Sequence, residues 1–310
     1  MMPKYHIGTL SLAAREALLE QATSSKKEPS ETFLDPRAWC EATLVQKKVV
    51  SWDTRIFTFK LDSPTQTLGL PVGQHLLIKI RDEKTGEVIT RPYTPISSNT
   101  EKGVVHLLVK VYFDTPTVPG GKMTQAMDRI RRFLLYHVSY DFMANPIIAT
   151  GHTSSFKGPV GKLIYHGQGV VSLLDNRINV TSFLMICGGS GITPIFQVLR
   201  AVLSNPMDPT TCVVLDGNRT EEDILCREDL DSFAATYPER CKIIHTLSNP
   251  SERWQGERGR IGWDLIKQNY PQGSKGGKPL TLICGPEPLE KSVKELLTAA
   301  GWGESDMVFF

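Results

Sequence analysis

The sequence predicts a two-domain β + α/β chain: an antiparallel β-barrel or sandwich followed by a parallel-sheet α/β domain. Three features carry that expectation. From Trp39 to Lys110 short β-prone runs succeed one another with no helical segment between them, a pattern that demands antiparallel pairing. After about Thr181 the rhythm becomes strand then helix, the alternation that builds a parallel sheet with helices on both faces. At the junction an apolar run, 182–187, enters Gly188-Gly189-Ser190-Gly191-Ile192-Thr193-Pro194, which reads as a buried strand feeding a glycine-rich turn.

The elements follow in order. Residues 1–34 read as a tail and hinge, with a short helix over 9–22 capped by Ser11 and a polar Ser/Lys/Glu/Pro linker over 23–32. The first domain is expected over 35–172, with strands at 42–50, 55–61, 74–81, 91–95 and 104–112. Pro64, Gly69, Pro71, Gly73 and Gly86 punctuate them. Gly120-Gly121-Lys122-Met123-Thr124 then leads into a helix at 125–128. The second domain is expected over 178–310, its strands 182–187, 211–215, 241–247 and 279–284 alternating with helices 195–203, 226–235, 261–269 and 288–299. The 310 residues suffice for two ordinary domains with full cores.

Composition excludes several classes. A net charge of +2, in short scattered clusters such as Lys47-Lys48 and Arg131-Arg132, argues against nucleic acid. Six cysteines without a Cys-x-x-Cys pair argue against zinc and iron–sulfur ligation, so no metal is expected. No run approaches eighteen apolar residues and the start lacks the apolar core of a secretory leader. A cytoplasmic protein without a membrane segment is the expectation.

Three motifs carry chemistry. In the turn after 182–187, Gly188, Gly189 and Gly191 let backbone N–H groups approach a diphosphate, and the following helix start adds partial positive charge. Pro194 suits a first helical turn, where no N–H is needed. The spacing Gly189-x-Gly191-x-x-Pro194 departs from the Gly-x-Gly-x-x-Gly dinucleotide fingerprint. A later apolar run ends in Cys284-Gly285-Pro286-Glu287-Pro288. The third motif is Arg91-Pro92-Tyr93-Thr94-Pro95-Ile96-Ser97, whose arginine offers a planar fork suited to a diphosphate.

With these three motifs in this order, the chain from about Phe33 to Phe310 resembles the ferredoxin-reductase-like flavoproteins, in the branch of cytochrome b5 reductases and eukaryotic nitrate reductases. Asn218-Arg219-Thr220-Glu221-Glu222-Asp223 and the ending Met307-Val308-Phe309-Phe310 look most like fungal-type nitrate reductase. The resemblance implies an FAD-binding barrel and an NAD(P)H-binding α/β domain. Arg91 would hold the FAD pyrophosphate, Pro92 and Tyr93 would lie along the flavin, and Thr94 would reach its N5. Val109-Lys110-Val111-Tyr112-Phe113 matches the second flavin segment, and Gly121, Lys122, Met123 and Thr124 the phosphate turn. In the second domain Gly188, Gly189 and Gly191 would cradle the NAD(P)H diphosphate at the helix start that holds Pro194, and Thr193 would reach toward the flavin ring across the domain cleft. Cys284 would orient the nicotinamide without acting as a nucleophile, and Gly285, Pro286 and Glu287 would turn over its ribose. His75 has a family counterpart, although a structural histidine is the expected reading.

The resemblance also sets the functional expectation. A hydride passes from NAD(P)H to FAD, and single electrons then pass to a cytochrome b5-type haem acceptor, held on a missing domain of the same gene or on a separate protein. The alternatives are a free-standing NADH-cytochrome b5 reductase and a non-catalytic remnant that cannot hold FAD. Coenzyme choice stays open, because Asp216 favours a free ribose 2′-hydroxyl and Arg219 a 2′-phosphate. One departure stands out. Residues 131–148 form an atypical insertion between the phosphate helix and Gly158-Pro159-Val160-Gly161, expected to disturb the flavin site.

Overall fold

A computed structural model describes residues 31–130, 152–270 and 279–310. The expected helix over 9–22, residues 1–30 of the expected tail and hinge, and the 131–148 insertion lie outside the described residues; Phe33 and Leu34, placed in that tail, are buried in the core of the first half.

The first half is built from β1 (Cys40–Val49), β2 (Thr54–Lys60), β3 (His75–Arg81), β4 (Val88–Tyr93), β5 (Val104–Lys110) and, after helix α1 (Lys122–Arg129), β6 (Thr153–Val160). All pair antiparallel in the order β4-β3-β6-β1-β2-β5. The expected barrel is a half-barrel: β4 and β5 are edges of a curled sheet and do not pair with each other. Pro92 in β4 has no N–H to give a further strand, and α1 packs against β3 and β4 instead. Phe57, Phe59, Leu76, Ile78, Leu107 and Phe156 fill the concave face with Met123 and Met127 of α1. Phe156 meets Phe59 edge to face at 5.1 Å, the favoured aromatic geometry.

β5 reads Val104-Val105-His106-Leu107-Leu108-Val109-Lys110 and is apolar on both faces for a reason. Leu107 and Val109 enter the half-barrel core, whereas Leu108 packs into the core of the second half. Three further strands, β7 (Leu163–Gly167), β8 (Val170–Leu173) and β9 (Asn176–Asn179), form a small antiparallel sheet. Its Leu163, Tyr165 and Val171 join that same second core, with the Tyr165 ring 5.5 Å from Phe183.

The second half holds β10 (Ser182–Gly188), α2 (Ile192–Leu203), β11 (Thr211–Asn218), α3 (Arg227–Thr236), β12 (Cys241–Leu247), β13 (Glu257–Arg258), α4 (Trp263–Asn269), β14 (Leu280–Cys284), α5 (Glu287–Ala299) and β15 (Met307–Phe309). The strands are parallel throughout, in the order β13-β12-β11-β10-β14-β15. Residues of α2 and α3 cover one face of the sheet and residues of α4 and α5 the other. β10 is therefore buried on both faces, which explains its unbroken apolar run.

Two side chains of α2 fasten the halves together. The Gln197 Oε1 accepts a hydrogen bond from the Gly73 N–H at 2.8 Å, and Arg200 donates to the carbonyls of Ile96 and Ser97.

Candidate active site

β10 lies between β11 and β14, so the chain leaves it in one direction across the sheet and returns on its other side. A crevice opens beyond the carboxyl ends of strands at such a reversal. Here Cys284, Cys187, Asp216 and His245 stand in register across β14, β10, β11 and β12. β10 runs on into a 3₁₀ turn, Gly189–Gly191, that opens directly into α2. The edge strand β5 of the half-barrel abuts that turn.

One cleft of about 580 Å³ results, walled by both halves. The half-barrel supplies His75, Pro92, Tyr93, Thr94, Leu108, Val109, Lys110, Tyr112, Pro119, Gly120, Gly121 and Thr124. The parallel-sheet half supplies Ser190, Gly191, Thr193, Pro194, Cys284, Gly285, Pro286 and Phe310. Of the residues expected from sequence, the structure thus gathers both Thr94 and Cys284 into one space, with all but eight of the rest.

Those eight lie beside the cleft rather than in its lining. Met123 is buried in the half-barrel core, so only its backbone is available to a ligand. Val111 is also buried, its N–H bonded to the Asp53 carbonyl. Lys122 is exposed and paired with Glu87 at 3.0 Å. Gly188 ends β10, Glu287 begins α5, and Phe113 stacks on Trp52 outside the cleft. Arg91 pairs across the sheet with Ile78 and so sits on the core-side face of β4, yet it is exposed, its Nη1 bonded only to the Thr90 carbonyl. A cation where the pattern calls for an apolar residue marks an opening in the core. Gly189 takes φ +54, and a Cβ there would meet nothing within 4 Å.

Sequence reasoning missed other members. His75, expected as a structural histidine, is part of the cleft lining, and burial holds its imidazole below the usual pKa. Leu108 and Pro119 carry no motif, and Ser190 stands in the glycine-rich turn with no role of its own expected there; only the meeting of the halves reveals them as lining. Asp216, one side of the open coenzyme question, is 1% exposed. Its Oδ2 accepts from Asn218 Nδ2 at 2.8 Å and lies 2.9 Å from His245 Nδ1, and Cys187 Sγ reaches Oδ1 at 3.5 Å.

The electrostatics suit anionic ligands. α1 begins at Gly121 with no side-chain cap and no acid in its first turn, leaving its first N–H groups free of side-chain partners. Burial, then the neighbouring Glu290, pushes the Cys284 thiol up to about 12, so it stays protonated. Burial likewise raises Tyr93 out of the titrating range. The uncapped start of α1 at Gly121, the exposed Arg91 guanidinium and the open turn at Gly189 are the kinds of group that suit dinucleotide diphosphates.

Two contacts cross the cleft mouth. Tyr112 Oη and Ser190 Oγ are 3.2 Å apart, and Lys110 Nζ lies 2.7 Å from Asp223 and 3.1 Å from Asp53. Burial works to raise the Asp223 pKa, but hydrogen bonds from Lys110 and Thr220 outweigh it and hold it below 3.8. Burial works to lower Lys110, but Asp223 and Asp53 hold it above 10.5. A depressed carboxylate stabilises above its unfolded pKa and loses that contribution as pH falls through the folded value; a raised ammonium loses its own only as pH rises past its folded value. The clasp is therefore constant between about pH 5 and 10. Asp223→Asn is expected to cost about 1–2 kcal/mol at pH 7. Thermal melts of variant and parent should converge only as the pH falls through the depressed folded pKa of Asp223, where the carboxyl is protonated in both states.

The fold and this cleft define a two-domain oxidoreductase module with one site for a flavin and one for a pyridine nucleotide. Residues 41–134 match the family model of the oxidoreductase FAD-binding domain, and 185–295 that of the oxidoreductase NAD-binding domain. The chain belongs to the cytochrome b5 reductase family. It is 38% identical over 273 residues to NADH-cytochrome b5 reductase 3 of Mus musculus, covering 85% of this chain and 83% of that protein. The crystal structure of the cytochrome b5 reductase domain of Ulva prolifera nitrate reductase superposes with a TM-score of 0.78 at 32% identity, covering 90% of this chain and 100% of that one. The NADPH nitrate reductase of Aspergillus niger is 50% identical over 310 residues, all of this chain and 33% of that protein. The chain thus spans about a third of the curated nitrate reductases it matches. Among the described residues no helix is long and apolar enough to cross a membrane.

Proposed function

We propose that this chain is the NADPH-oxidising flavin module of a nitrate reductase, delivering electrons to a cytochrome b5-type haem in nitrate assimilation. The observation that carries it is the single cleft in which Tyr93 and Thr94 of the half-barrel face Thr193 and Cys284 of the parallel-sheet half. A flavin and a nicotinamide held there would supply hydride acceptance and one-electron release.

The chain's own residues arrange that meeting. Arg91 and the start of α1 neutralise one diphosphate, and the turn 189–191 with the start of α2 holds the other. Thr94 and Thr193 are nearly buried and offer hydroxyls from opposite walls. The protonated Cys284 packs beside the transfer path without competing as a nucleophile, and the neutral His75 keeps charge out of the floor. Leu108, Pro194 and Phe310 exclude water, and fixing the two rings in contact is what the protein contributes to rate.

Coenzyme choice follows from Asp216 being sequestered. Arg219, at the end of β11, is exposed and its guanidinium has no hydrogen-bond or ion-pair partner among the described residues. Asn249 donates to its carbonyl at 2.8 Å, fixing the backbone that presents it. A free guanidinium at that strand end suits a 2′-phosphate, in keeping with the NADPH in the names of the fungal relatives. Purified chain should be yellow and its flavin bleached faster by NADPH than by NADH under anaerobic mixing. Arg219→Ala is expected to raise KM for NADPH about tenfold and leave that for NADH within about twofold. Equal loss with both coenzymes would refute the 2′-phosphate assignment; a colourless chain would refute the function. A free-standing NADH-cytochrome b5 reductase is less favoured, since identity falls from 50% to 38%.

A further inference from the structure

Trp52 is 72% exposed, and its ring lies 6.1 Å from that of Phe113, the two planes 29° apart. A loose surface tryptophan would call for no explanation, but this one is displayed on a braced turn. Arg55 Nη1 donates to the carbonyls of Ser51, Trp52 and Thr54, and its Nε is held by Asp128 of α1 at 2.9 Å. The Val111 N–H bonds the Asp53 carbonyl at 2.6 Å, which sets the turn against the segment after β5. Asp128 belongs to the same helix whose first turn faces the diphosphate cradle, so the indole and the cradle share one rigid mount.

The pair is continuous with the cleft. Tyr112 lines it and lies against Gly121, where a Cβ would come within 3.3 Å of the tyrosine Cβ. Gly120 backs onto the Tyr112 carbonyl and the Asp114 N–H, and Phe113 sits between those two residues. The segment that flanks Gly120 and Gly121 thus carries Phe113, on which Trp52 is stacked, next to Tyr112 of the cleft wall. Beyond the diphosphate of FAD comes a ribose and a flat adenine. Flat aromatic faces stack on purine bases without needing hydrogen-bond partners, and ordering two rings in advance lowers what binding must fix.

We infer that Trp52, stacked on Phe113, is the platform for the adenine of FAD, and that it makes the chain select FAD over FMN, which lacks the adenylate. This rests on the flavin reading of the cleft. The full 310-residue chain, loaded with FAD or with FMN, is diluted and flavin release followed by the return of flavin fluorescence. Trp52→Ala should weaken FAD about tenfold and leave FMN within about twofold, and Trp52→Phe should restore most of the loss. The FAD-loaded parent should also show quenched indole emission that partly recovers on release, a change reduced in Trp52→Phe. An unchanged FAD-to-FMN ratio in Trp52→Ala, as expected if the ring serves a protein partner instead, overturns the inference. Equal weakening of both flavins overturns it too, because the turn would then act only on structure. A parent chain that holds neither flavin overturns this inference and the flavin reading together, whereas tight FMN with no added affinity for FAD overturns this one alone.

Discussion

Gly191→Val is expected to leave flavin bound and to abolish its reduction by NADPH. A Cβ at this position would stand 2.2 Å from the Cys284 carbonyl oxygen, 2.5 Å from its carbon and 2.8 Å from the Gly285 nitrogen. All three are backbone atoms at the end of β14, which is held between β10 and β15 and cannot yield as a side chain would. The backbone of Gly191 is itself ordinary, with φ −63, so the requirement is for space and not for conformation. The substitution must part the 189–191 turn from Cys284–Gly285, the two segments that form one wall of the cleft. Displacements of about 1 Å at a reacting centre cost about a hundredfold in rate, and this clash demands more. Single-turnover mixing with NADPH should show a loss of at least about a hundredfold in flavin reduction, while the flavin-to-protein ratio stays that of the parent. Even Gly191→Ala carries the same Cβ and should fall in the same direction. Normal reduction kinetics in the valine variant would mean that the coenzyme does not approach through this turn.

Arg91→Ala is expected to strip the flavin while leaving the fold intact. The side chain is exposed and bonds only the neighbouring Thr90 carbonyl, so its removal should change stability by no more than about 0.5 kcal/mol. Its loss from a diphosphate is a different matter, because hydrogen bonds between charged groups contribute about 1.5–3 kcal/mol each and arginine can make two. A rise of about a hundredfold in the flavin dissociation constant is expected, read from the absorbance ratio of the purified chain and from dilution. Arg91→Lys should recover only part of it, since an ammonium cannot present the planar fork. Unchanged flavin content in the alanine variant would move the diphosphate elsewhere.

Much of the architecture is legible in the chain because its signals are local. The strands observed at β1 to β5 fall within two or three residues of those expected, since Pro and Gly punctuate them. The strand–helix alternation after Ser182 is equally clear, because strands buried on both faces read as continuous apolar runs. The elements that escaped have weak local signals. β6 is Thr-Ser-Ser-Phe-Lys-Gly-Pro-Val, polar and interrupted, and exists because β1 and β3 flank it. β7, β8 and β9 are four or five residues each and are held by packing on the second core.

The same division runs through the site. Gly191, Thr193, Cys284, Arg91 and Thr94 announce themselves because each stands in a short motif of fixed spacing, which a linear sequence preserves. Burial and partnership across the chain leave no such trace. That Asp216 is enclosed by Cys187, Asn218 and His245, that Lys110 reaches Asp223, that His75 lines the cleft and that Trp52 lies on Phe113 were decided only by tertiary structure. The sequence by itself determined the two kinds of domain and the backbone turns that can hold diphosphates, because these depend on neighbours a few residues apart. The docking of β5 and α2 across the two halves decided which of those residues share one space, because that depends on contacts between segments more than a hundred residues apart, such as Gly73 with Gln197 and Ile96 with Arg200.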